Sequence, residues 1–142
     1  MVAVVTLTAC SPVSDEAGFG LGDLSPEDRA EVLASAGVSA STLDGTLSVA
    51  GNGCFRWKGD VGDDAWIVWP DSAEPDRSNG AGVILDDGST VTDGSSLRAL
   101  GAFVALEDLP AGANPDSYFG SFGRFCGADD SGVVVLAEVT QG

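Results

Sequence analysis

The chain has 142 residues and not one histidine. This excludes a Ser-His-Asp or Cys-His catalytic unit and any zinc or iron site that needs an imidazole. Bases are scarce, with six Lys and Arg against 22 Asp and Glu and a formal charge of −16. Nucleic acid and anionic lipid are bound by clustered Lys and Arg, so neither is an expected partner. No stretch approaches the ~18 consecutive apolar residues of a transmembrane helix. A Gly-x-Ser-x-Gly nucleophile elbow and a Cys-x-x-Cys pair are both missing, as is any repeat of 20–50 residues. The expectation is a non-catalytic protein with no cofactor.

What is present is turn chemistry. There are 20 Gly, and Asp outnumbers Glu by 16 to 6. Both Gly and Asp favour turns over helix interiors. Hydrophobic residues make up 44% of the chain and charged residues 20%. One domain with a packed core fits that length and composition. The acidic excess reads most simply as solubility at a cell surface.

The N-terminus reads Met-Val-Ala-Val-Val-Thr-Leu-Thr-Ala-Cys, followed at once by Ser11, Pro12 and a polar stretch. Leu7-Thr8-Ala9-Cys10 resembles the lipobox of bacterial lipoproteins. The resemblance implies that residues 1–9 are the end of a signal peptide and that Cys10 is lipidated and becomes the mature N-terminus. A secretory signal also has a basic segment and an apolar run of about 7–15 residues. No base precedes Cys10, so a basic segment is expected upstream of Met1. The alternative is that residues 1–9 form a first strand of a soluble protein. Residues 10–24, with Pro12, Gly18, Gly20 and Gly22, read as the lipidated cysteine and a flexible tether.

Three cysteines leave one odd in a secreted chain. If Cys10 carries lipid, Cys54 and Cys126 remain, 72 residues apart. A disulfide between them would stabilise the domain by about 4 kcal/mol through loop entropy. Two separate buried thiols are the alternative.

Residues 25–142 form the expected domain. Ser25 is a good N-cap, Pro26 suits the first helical position, Asp28 completes a capping pattern and Gly37 stops a helix. Val32, Leu33 and Ala36 give that helix a narrow apolar stripe. From Leu43 the period is two: Leu47, Val49, Gly51, Gly53, Phe55 and Trp57 share one parity. This predicts one strand bent at Gly51-Asn52-Gly53. Further strands are expected at residues 65–70, 82–85, 97–106 (bent at Gly101) and 133–139. Residues 71–80 read as a polar loop, and residues 111–132 as a long irregular segment. The fold expected is mainly β, a small OB-like barrel of five to six strands with one peripheral N-terminal helix. A β-sandwich is the alternative.

Gly53-Cys54, Val68-Trp69-Pro70, Leu85-Asp86-Asp87-Gly88 and the closing Cys126 resemble a layout found in small secreted lipoproteins of actinobacteria. The resemblance spans roughly residues 46–139. It implies a barrel-like domain and no known chemistry.

Two groups of residues invite a chemical reading. Asp63-Asp64, Asp86-Asp87 and Asp129-Asp130 sit in expected turns. Converging, they would suit a calcium ion with its six to eight oxygen ligands, or a small carboxylate-dependent hydrolase. Asp-rich turns also arise from local hydrogen bonding alone. Residues 118–127 place Tyr118, Phe119 and Phe122 beside Arg124. This is either a loop pinned to the core or a ligand loop whose Arg124 meets a carboxylate or phosphate. Trp66 and Trp69 have opposite parity, so no joint stacking platform is expected, and Trp57 is expected in the core. The functional expectation is a lipid-anchored envelope domain that binds an envelope protein or small ligand.

Overall fold

A computed structural model of the chain describes residues 21–59, 64–76 and 82–142. In chain order these form β1 (Asp23–Leu24), α1 (Pro26–Ala36), β2 (Ser41–Val49), β3 (Phe55–Gly59), β4 (Ala65–Pro70), β5 (Glu74–Asp76), β6 (Gly82–Ile84), β7 (Thr90–Val91), β8 (Ser96–Val104), a 3-10 turn (Leu106–Asp108), α2 (Tyr118–Phe125), α3 (Ala128–Ser131) and β9 (Val133–Gln141).

Five strands close into an OB-like barrel in the order β4-β3-β2-β8-β9, with β9 returning to β4. Every pair in the ring is antiparallel except the last, where Trp66, Ile67 and Val68 run parallel to Val133, Val134 and Val135. β1 adds a sixth strand, parallel to the end of β4. Strands β5, β6 and β7 make a separate three-stranded sheet between β4 and β8 in the chain.

β4 and the first four residues of β9, Val133–Leu136, are buried on both faces, which is why neither stretch alternates in hydrophobicity. Ile67, Trp69, Val134 and Leu136 point into the barrel, where they meet Leu47, Trp57 and Leu97. Trp66, Val68, Val133 and Val135 point outward into a second cluster beneath the helices. The two tryptophans of β4 thus serve different cores, as their parity requires. The small sheet adds Val83, Leu85 and Val91 to the barrel cluster.

Residues 43–58 are not one bent strand. The chain reverses at Gly51-Asn52-Gly53, and β2 and β3 pair as a hairpin. Gly53 sits at φ +90°, and Asn52 Oδ1 accepts from the Cys54 backbone at 3.2 Å. Leu47 pairs with Trp57 and Val49 with Phe55, so odd positions stay on one face through the turn. Parity therefore found the right inward set for the wrong backbone. The Trp57 indole lies over Gly45 and Gly59, themselves cross-strand partners; a Cβ on Gly45 would stand 2.5 Å from the ring. The expected bend at Gly101 is a register shift between Leu100 and Gly101.

α1 follows its sequence signals. Ser25 Oγ accepts from the Asp28 backbone at 3.2 Å, and Gly37 ends the helix in the left-handed region. Val32 is buried, with Leu33 and Ala36 packed on the outer cluster. The expected loop at residues 71–80 instead contains β5. The tether expectation is corrected at residues 21–24: Leu21 and Leu24 are buried, and β1 hydrogen-bonds to β4. Residues 1–20, Cys10 among them, lie outside the described residues.

Candidate functional site

Barrels of this kind take oligonucleotides or oligosaccharides on the face of their second and third strands, between the loops joining strands one to two and four to five. Here that face belongs to β3 and β4, the first loop is the β2–β3 turn, and the second is the long connection from β8 to β9. The connection folds back across the outer face of β4. α2 starts at Ser117, whose Oγ accepts from the Gly120 backbone at 2.9 Å and donates to the Ala111 carbonyl at 2.6 Å. Phe119 and Phe122 stack at a tilt against Trp66, with ring centroids 6.5 and 4.6 Å away. Cys126, at the end of α2, forms a disulfide with Cys54 in the β2–β3 turn, their Cα atoms 5.6 Å apart. The two loops that would flank a ligand are thus crosslinked, and the groove between them is filled by the chain's own aromatic side chains.

Residues 111–132 are therefore irregular only in part: turns run to Ser117, and α2 and α3 follow. Phe119, Phe122 and Cys126 fall at helical spacing on one buried face. Gly120 and Gly123, read as loop residues, are contact points. A Cβ at the first would overlap the Asn114 carbonyl, and one at the second the Leu106 side chain.

The four residues read as a ligand loop separate. Phe119 and Phe122 are core. Tyr118 is half-exposed, and its hydroxyl donates to the Leu21 carbonyl at 3.3 Å. Arg124 is exposed, and its Nη1 donates to the carbonyls of Gly120 (3.1 Å) and Gly112 (3.3 Å). It thereby ties the 111–117 segment to α2. Arg124 also borders a cleft of about 310 Å3 with Glu107, Asp129 and Asp130. Three carboxylates and one guanidinium line this cleft, a balance that disfavours the carboxylate or phosphate expected at Arg124.

Among the described residues the Asp pairs do not converge. Asp86 and Asp87 border one cleft, and Asp129 and Asp130 another. Asp64 is paired with Lys58 at 2.6 Å, which with its hydrogen bond holds the carboxyl below its usual range. Asp63 lies outside the described residues. Asp87 caps its own turn, accepting from the Ser89 backbone and hydroxyl at 2.9 and 2.6 Å, and these bonds lower its pKa. Among the described residues no three carboxylates or cysteines stand close enough to hold a metal. The arrangement that the calcium and hydrolase readings required is not formed there.

Sequence reasoning missed an acidic corner at β1. Partial burial raises the Asp23 pKa, and Asp71 raises it further. Burial also raises that of Tyr118, with Asp23 adding to the effect. Asp23 falls in the stretch the sequence reads as a tether, and nothing local marks it as packed.

No protein-family model matches the chain. No curated protein sequence matches it, and no solved structure does.

Proposed function

We propose that the chain is a lipid-anchored, non-catalytic domain of a bacterial cell envelope, serving as a binding or structural module. One observation carries the reading: Cys54 and Cys126 are joined to each other. A buried structural disulfide fits an oxidising, extracytoplasmic compartment. The one cysteine left over is Cys10, at the lipobox-like position. Its thiol would carry the diacylglycerol, and the segment that follows would space the barrel from the membrane. One acyl group gives only marginal membrane binding, so two chains on one cysteine suit a stable anchor. The disulfide and the filled groove favour a rigid module over an enzyme with a working cleft.

Intact mass of the protein expressed in a lipoprotein-processing bacterium tests this, with and without reductant. The expected product begins at Cys10, is heavier by a diacylglyceryl group and gains two hydrogens on reduction. A chain that keeps residues 1–9 and an unmodified Cys10 thiol would overturn the anchor.

A further inference from the structure

β9 is only half enclosed. It pairs with β8 from Val133 to Gln141, skipping only Ala137 at the register shift, but on its other edge β4 covers only Val133, Val134 and Val135. From Ala137 to Gln141 that second edge has no strand beside it among the described residues. The direction of its backbone groups follows from the ladder. Gly142 N donates to Ser96 O, and Leu97 faces Gln141, Arg98 faces Thr140 and Ala99 faces Val139. Antiparallel pairs alternate between bonded and non-bonded. Thr140 therefore spends its N–H and C=O on β8, while those of Val139 and Gln141 point away, to the open side.

That side is a slot. Pro70, Ser72 and Ala73 form one wall, the Asp86-Asp87 turn another, and β9 the third, around about 270 Å3. Among the described residues its charged side chains are Asp86, Asp87 and Glu138, with no base. Natural sheet edges are usually blunted by charge, proline or a bulge. This one carries Glu138 and the irregularity opposite Leu100 and Gly101. Such an edge refuses an acidic strand or a second copy of this −16 chain, and admits a strand that brings opposite charge.

We propose that the open edge of β9 is a docking site for an extended basic peptide segment of a partner protein. The segment adds as a strand beside Val139 and Gln141 and sets Lys or Arg side chains against Asp86, Asp87 and Glu138. Main-chain hydrogen bonds supply affinity in this mode, and alternate side chains supply specificity. About five residues, at ~3.4 Å each, would span the open stretch. The surface is separate from the Arg124 cleft and does not depend on the lipid anchor.

The test uses capped eight-residue peptides of alternating valine with lysine, or valine with glutamate, and follows amide exchange by NMR. The lysine peptide is expected to bind and to slow exchange at Val139 and Gln141 by at least about tenfold, leaving Thr140 unchanged. Gln141→Pro removes one outward N–H at an exposed position and should weaken binding at least about fivefold, with the slowing at Val139 falling in step. The D86N/E138Q double variant keeps the backbone and should weaken binding about fivefold. Equal binding of the glutamate peptide, protection elsewhere, or no binding at millimolar peptide would each overturn the proposal. So would a dimer in sedimentation that Gln141→Pro dissolves, since a second copy would then own the edge.

Discussion

Single residues in this protein do unlike jobs depending on which side of one strand they occupy. Trp69 fills the barrel and meets Phe55 edge-on at 6.0 Å, while Trp66, three residues earlier, anchors the helices outside. Charge shows the same dependence on place. Asp23 shares its corner with Asp71, and both burial and that neighbour disfavour its ionised form. The folded state therefore holds this proton more tightly than the unfolded chain does. Its contribution to stability is greatest at low pH and is lost as pH rises through the raised folded value. Asp23→Asn should stabilise the fold slightly at pH 7, by no more than about 0.5 kcal/mol after solvent screening, seen as a small rise in the thermal midpoint, and change nothing at pH 3. Melting curves at the two pH values check this; a variant less stable at pH 7 would show a favourable role for the charge.

At the scale of elements, the two longer helices begin alike and are held differently. Ser25 caps α1 with one bond to Asp28. Ser117 caps α2 and also reaches back to the Ala111 carbonyl. Ser25→Ala should cost about 1 kcal/mol and Ser117→Ala nearer 2, as denaturant unfolding would measure. Equal losses would mean that the backward bond contributes nothing. The first of these helices was legible because Ser25, Pro26 and Gly37 are local signals. The second was not. Its glycines are helix-weakening in any propensity scale, and only the nearness of Asn114 and Leu106 explains them. The hairpin at residues 41–59 was half legible, since alternation names a face without saying whether the chain runs on or turns back. The Asp pairs were legible as turns, and their failure to meet is a property of the fold.

The whole molecule depends on a few contacts distant in sequence. The parallel β4–β9 pair closes the ring, and Cys54–Cys126 holds the helical connection over the outside of it. Replacing both cysteines with alanine should cost about 4 kcal/mol, the loop entropy of 72 residues. That is a large part of the 5–15 kcal/mol typical of a domain. Exchange protection should fall first in residues 106–131, because their cover loses its tie while the barrel ladder stays intact. Uniform loss of protection across β2, β3 and β8 would instead show that barrel and cover unfold as one unit.

Some properties follow from the residue string alone. The missing histidine, the −16 charge, the parity of Leu47 and Trp57, the cap at Ser25 and the lipobox-like run to Cys10 need no coordinates, because each is composition or short-range pattern. Tertiary structure decided the rest. It placed Val133 to Val135 beside Trp66 to Val68, laid Phe119 and Phe122 over the outer face of β4, and turned the backbone groups of Val139 and Gln141 away from β8. These are pairings between segments far apart in the chain. Their free energy comes from burying two surfaces together, and neither surface names its partner.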